Sequence, residues 1–132
     1  GGFVPFGVNP RKYLNPSPKL MEANHGAGGR KGILFAGQMT GVEGYVESAA
    51  SGIAAAYSAF ARAAGKEPRA FPQETAIGAL CHYISHFIGK DFQPMNVNFG
   101  LLPPLPERVK KREKNGKLAA RALSVLDAFI KK

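Results

Sequence analysis

Three glycines spaced 37, 41 and 44 stand between a short apolar run, Ile33-Leu34-Phe35-Ala36, and an alanine-rich stretch that begins at Tyr45. This arrangement constrains the fold more than any other feature of the 132-residue chain. The apolar run with its flanking glycines reads as a buried strand. The stretch from about Gly44 to Ala64 reads as a helix, with Val46, Ala49, Ala50, Ile53, Tyr57, Phe60 and Ala64 recurring at helical spacing and Gly65 at its end. Small residues Ser48, Ser51 and Gly52 on its other face suit close packing. A strand, a glycine turn and a helix start together bring backbone near a ligand without an intervening side chain. The unpaired N–H groups and positive dipole end of the helix then suit an anion or an electron-rich carbonyl edge.

The rest of the chain fills in around this unit. Residues 1–32 are rich in Gly, Pro and Asn, with one extended piece near Phe3 to Val8, and Pro10, Pro16 and Pro18 exclude a helix there. Gly26-Ala27-Gly28-Gly29-Arg30-Lys31-Gly32 imitates a phosphate cradle but precedes a strand, the wrong order for one. Pro72 opens a second expected helix with Ile77, Leu80, Cys81, Ile84 and Ile88 as its buried stripe and Gly89 at its end. Residues 90–106 carry four prolines and read as ordered but irregular. A last helix, about Leu118 to Ile130, buries Leu118, Ala122, Val125, Leu126, Phe129 and Ile130.

Charge is concentrated. The net charge is +9, and Arg108, Lys110, Lys111, Arg112, Lys114 and Lys117 face a single acid, Glu113, within ten residues. Such a cluster suits a polyanion by counterion release; its plainer reading is a solvated connector. No aromatic residues interleave with it, so it would position a nucleic acid rather than read its bases. One cysteine excludes an internal disulfide and fits a reducing compartment. There is no 18-residue apolar run and no signal-peptide pattern, so the expected location is cytoplasmic, with no membrane partner.

Other residues invite chemistry and are weighed against plainer roles. His82 and His86 share a helix face, but an HxxxH without an adjacent Glu or a third ligand predicts no metal site. Cys81 sits on an apolar stripe and reads as core. Asn96 and Asn98 alternate with Met95, Val97 and Phe99, so both amides would face one way on an extended segment. Paired amides read a pterin or uracil edge well, and equally well satisfy loop backbone.

The motif Gly37-Gln38-Met39-Thr40-Gly41-Val42-Glu43-Gly44-Tyr45-Val46-Glu47-Ser48-Ala49-Ala50-Ser51-Gly52 closely resembles the flavin-contacting signature of folate- and FAD-dependent tRNA uracil-5-methyltransferases, the TrmFO-type family. Phe92-Gln93-Pro94-Met95-Asn96-Val97-Asn98-Phe99-Gly100-Leu101-Leu102-Pro103-Pro104 and Gln73-Glu74-Thr75-Ala76-Ile77-Gly78-Ala79-Leu80 resemble two further blocks of that family. A sister group, the GidA/MnmG-type wobble-uridine enzymes, carries a related glycine signature, but Val42-Glu43-Gly44-Tyr45 and the Asn-Val-Asn-Phe-Gly block fit the TrmFO type better.

The resemblance implies an α/β fold: the C-terminal portion of a Rossmann-like FAD-binding domain, short strands plus three helices, its GxGxxG half lying in a preceding segment that this chain lacks. It implies residues 1–105 as part of that domain, with the turn at 37–45 and a substrate-side block at 92–104, and 106–132 as a basic segment and helix. It implies flavin contact at Gly37, Gln38, Gly41, Val42, Glu43, Gly44 and Tyr45, with backbone N–H groups from Val42 to Tyr45 facing the pyrimidine edge. Asn96 and Asn98 then line the substrate side, and Arg108, Lys110, Lys111, Arg112, Lys114 and Lys117 hold tRNA. The implied reaction moves a one-carbon unit from methylenetetrahydrofolate, through reduced FAD, to C5 of the T-loop uridine, with NAD(P)H as reductant. Glu43 is the only candidate here for direct chemistry; the family's catalytic cysteines lie upstream, so this chain alone should be inactive. Pro10 stands where the family is expected to carry histidine, which puts substrate handling there in question. A cofactor-free basic RNA-binding module is the alternative from another class.

Overall fold

The first helix turns its small residues inward and its large apolar ones outward, the reverse of what its periodicity predicts. The computed structural model describes residues 34–87 and 92–132. In chain order these form a 3-10 turn at Gly37–Thr40, helix α1 (Tyr45–Ala63), helix α2 (Ala76–His86) and helix α3 (Lys111–Ile130). Ser51, Ala54, Ser58 and Ala61 are the buried residues of α1, while Val46 is 80 % exposed, Ile53 68 % and Phe60 75 %. The reason lies in what α1 packs against. The amide of Gly37 in the 3-10 turn donates to Ser51 Oγ at 2.7 Å, and Ser51 Oγ in turn donates to the carbonyl of Ser48. Only a short side chain lets backbone come that close.

The ends of α1 follow the glycines. Gly44 (φ 102°) precedes the first turn, and at the far end Lys66 N donates to Ala61 O and Gly65 N to Arg62 O. With Gly65 at φ 71° this is a Schellman motif, so Gly65 ends the helix as expected.

Helix α2 starts four residues after Pro72. Pro72 opens a tight turn instead: Thr75 N and Thr75 Oγ1 both donate to Pro72 O, and Thr75 Oγ1 then accepts from Gly78 N at 3.0 Å as the N-cap. Gly78 leaves room for this, since a Cβ there would run into the Pro72 carbonyl. The expected stripe holds at Leu80, Cys81 and Ile84, all buried, while Ile77 is half-buried. Ile88 and Gly89 lie outside the described residues.

Helix α3 begins at Lys111, seven residues before its expected start, so most of the basic segment is helical. Leu118 and Phe129 anchor it inward; Ile130, expected inside, is exposed. The core gathers Val42, Leu80, Ile84 and Phe92, with Tyr83, Phe87 and Leu101 against them. A second cluster packs Tyr57, Phe71 and Phe129 in edge-on and tilted contacts, with the Arg69 guanidinium 4.5 Å from the Phe129 ring centre.

The expected strand at 33–36 is not a strand among the described residues: Ile33 lies outside them and Leu34 forms only an isolated bridge. The other bridge is parallel and pairs Val42 with Met95. The described fold is therefore three helices joined by an ordered glycine turn and a proline-rich block. The segments Phe3 to Val8, Pro10 and the glycine decoy at 26–32 lie outside the described residues. No helix among those described is long and apolar enough to cross a membrane.

Candidate functional site

Two stretches distant in sequence, the glycine turn and the block from Phe92, are locked together in space. Glu43 N donates to Met95 O and Met95 N to Gly41 O, both at 3.1 Å. Val42 is 1 % exposed, and its side chain serves the core. Gly41 (φ 96°) has no room for a Cβ, because the Phe92 ring occupies that position. Gly44 (φ 102°, ψ 148°) is closed off in the same way by the Glu47 carboxylate and the Asn96 amide. Both glycines are therefore required twice, by backbone conformation and by space.

The amides of Asn96 and Asn98 have separate tasks. Asn96 Nδ2 donates to Glu43 O at 3.0 Å and ties the block to the turn. Asn98 Nδ2 donates to Asn96 O, and Asn98 Oδ1 accepts from Gly100 N, bracing its own loop. They do not present a matched pair to one ligand; the backbone-bracing role claims their nitrogens. Asn96 Oδ1 has no partner among the described residues.

The turn presents a usable surface to a planar, electron-rich group. The first intrahelical bond of α1 runs from Ser48 N to Gly44 O, so the amides of Tyr45, Val46 and Glu47 have no intrahelical acceptor. Tyr45 is 94 % exposed, Gln38, Met39 and Glu43 are exposed, and nothing stands within 4 Å of a Cβ built on Gly37. Unpaired donors beside open space are what a flavin's carbonyl edge would need, with one revision. The amide of Glu43, expected to face the ligand, is spent on Met95 O.

An acid missed in the sequence completes the lock. Glu47, three residues after Gly44, sits in the first turn of α1 and accepts from Val97 N through Oε1 at 3.3 Å. An acid at this position follows a known helix-start pattern, and that spacing was the available signal. Arg121 was missed as well. Its guanidinium donates to the carbonyls of Pro103 and Pro104, fastening the proline end of the block to α3.

The basic residues form the open end of α3. Lys111, Arg112, Lys114 and Lys117 lie in its first two turns, Arg108 and Lys110 just before it, and all six are exposed. Lys117 pairs with Glu107 at 2.9 Å, a contact that raises the lysine pKa and lowers that of the carboxyl. The other five have no ion pair among the described residues. Cations at the positive end of a helix dipole oppose it, so an anion bound there relieves two unfavourable terms at once.

Cys81 is buried, and burial pushes its thiol up to about 12, which holds it protonated and unreactive at neutral pH. The His82 and His86 rings stack 4.2 Å apart, burial and the neighbouring imidazole both lowering the His82 pKa. Among the described residues no cluster of three His, Cys, Asp or Glu surrounds them.

Comparison with known proteins places this geometry in context. The family described as glucose inhibited division protein A matches residues 3–67. Among curated relatives, a methylenetetrahydrofolate–tRNA-(uracil-5-)-methyltransferase TrmFO of Enterococcus faecalis is 52% identical over 93% of this chain and 28% of its own length. Proteins of the same name from Natranaerobius thermophilus and Anoxybacillus flavithermus are 49% and 52% identical over 98% of this chain and 30% of theirs. The chain thus spans under a third of the length of these relatives. At 49–52% identity over 93–98% of its length, the chain is similar to one segment of these TrmFO-type proteins.

Proposed function

We propose that this chain is the C-terminal, flavin- and RNA-contacting portion of a folate- and FAD-dependent tRNA (uracil-5-)-methyltransferase that modifies the T-loop uridine. The observation that carries the reading is the lock between residues 41–44 and 95–97: both stretches belong to the blocks shared with the TrmFO family, and they form one surface. Bound FAD would carry electrons from NAD(P)H to the one-carbon unit of methylenetetrahydrofolate.

The chain's own residues hold and orient. Gly37, Gly41 and Gly44 keep the turn free of side chains, and the first-turn amides beginning at Tyr45 face the cofactor's carbonyl edge. Gln38 and Glu43 border it, and the exposed Tyr45 ring is placed to cover a planar group. Val42 contributes through its backbone, its side chain being core. Asn96 and Asn98 shape the substrate-side wall, with Asn96 Oδ1 as the remaining acceptor. Arg108, Lys110, Lys111, Arg112, Lys114 and Lys117 hold the tRNA backbone, acting as point charges on phosphates. This portion works with the segment that carries the nucleotide cradle, in the cytoplasm where tRNA is modified.

A wobble-uridine enzyme of the sister group is the second reading, favoured by the family description matched at residues 3–67. FAD titration of the full-length polypeptide, followed by absorbance, tests the cofactor. A folded, soluble product that forms no yellow complex refutes the enzyme reading and leaves a basic RNA-binding module.

A further inference from the structure

The block from Met95 to Val97 is held on the glycine turn by three kinds of tie: a two-bond backbone bridge, the Asn96 amide, and the Glu47 carboxylate on Val97 N. The bridge would hold any two extended segments, and a neutral acceptor such as glutamine could take the Val97 bond. Glu47 alone brings a full negative charge. It brings it to the first turn of α1, where three amides lack intrahelical acceptors and the dipole is positive. Its half-buried carboxylate lies against Gly44, so closely that Gly44 cannot carry a Cβ. The charge is therefore fixed beside the surface offered to the ligand rather than swinging in solvent. Among the described residues, no Lys or Arg pairs with it.

We propose that Glu47 is a positioning residue with two separable effects: its hydrogen bond registers the Asn96–Asn98 block on the turn, and its charge disfavours the build-up of negative charge at this helix end. This rests on the flavin reading above. Hydride transfer from a nicotinamide donor adds two electrons and one proton to the flavin and releases the oxidised nicotinamide. The ring gains one negative charge. A fixed carboxylate nearby destabilises that product and makes the reduced cofactor the stronger electron donor. The one-carbon unit must be reduced to a methyl group, so a stronger donor serves the reaction.

The experiment uses full-length polypeptide, made by joining this chain to the remainder of the Enterococcus faecalis relative, with Glu47→Gln and Glu47→Ala variants. Flavin midpoint potential is read by dye equilibration, and the Val97 amide by hydrogen exchange. Glu47→Gln keeps the acceptor and removes the charge, so the potential should move to more positive values while Val97 stays protected. Glu47→Ala should move it the same way and lose Val97 protection. An unchanged or more negative potential in Glu47→Gln overturns the proposal while leaving the flavin reading intact. Failure of Glu47→Gln to fold also overturns it, since the charge would then be structural. If the parent polypeptide folds without taking up flavin, the functional reading fails and the proposal falls with it.

Discussion

Replacing Gly44 with alanine tests the lock where it is tightest. Gly44 sits at φ 102°, ψ 148°, a conformation nearly reserved for glycine, and its missing Cβ is faced by the Glu47 carboxylate and the Asn96 amide nitrogen. Forcing an L side chain into such a conformation costs about 1–3 kcal/mol. The new methyl must also displace the two side chains that tie the block to the turn. Losing the Asn96 bond to Glu43 O and the Glu47 bond to Val97 N removes about 1 kcal/mol each. These effects share one site and do not simply add, so the expected loss is about 2–4 kcal/mol. Gly52→Ala is the matched control: it lies mid-helix, with nothing within 4 Å of a built Cβ, and should stabilise by roughly 0.5–1 kcal/mol. The assay is urea unfolding of the full-length polypeptide followed by circular dichroism, with hydrogen exchange at Val97 as a local readout. Equal stability of the two variants, or unchanged Val97 protection in Gly44→Ala, would refute the reasoning.

Three further outcomes are expected. Thr75→Ala removes the acceptor for Gly78 N and should cost about 1 kcal/mol, whereas Thr75→Ser should be nearly silent in the same urea assay. Cys81 has a folded-state pKa raised from 9.0 to about 12, so the folded state keeps a proton that the unfolded chain releases. Its contribution is fully present below about pH 9 and is lost as pH rises towards 12; a Cys81→Ala variant should show a smaller alkaline loss of stability, and thiol reagents at pH 8 should label the parent only on unfolding. Replacing Lys110, Lys111 and Arg112 with alanine should weaken tRNA binding and lower the salt slope by about 2 if each neutralises a phosphate; an unchanged slope assigns them to solvent.

What the sequence made legible divides along physical lines. The Gly65 helix end, the core position of Cys81 and the irregular course after Phe92 were readable because each rests on local chemistry: a left-handed cap, an apolar stripe, repeated prolines. The burial of α1 was readable only in part: Ser51 packs closely, as its small-residue face suggests, but the outward turn of Val46, Ile53 and Phe60 was not. Periodicity locates an apolar face but not the face that packs, and here Ser51 and the alanines go inward because the 3-10 turn approaches to hydrogen-bond distance. The early start of α3 was hidden because six cations argue against a helix N-terminus, and only the folded chain shows them arranged on one. Asn96 and Asn98 were recognised as important from their alternation, but their partners lie on another segment in one case and within their own loop in the other. Glu47 was hidden for the same reason: its partner, Val97, is fifty residues away.

On the function proposed above, this chain is part of an enzyme that methylates C5 of a T-loop uridine in tRNA. The most direct measurement incubates the full-length polypeptide with unmodified transcript tRNA, FAD, NAD(P)H and isotope-labelled methylenetetrahydrofolate, then maps the product by nuclease digestion and mass spectrometry. Labelled 5-methyluridine in the T-loop, dependent on folate, is the expected product. Label at the wobble uridine, or none from a folded, flavin-loaded protein, would contradict the proposed function.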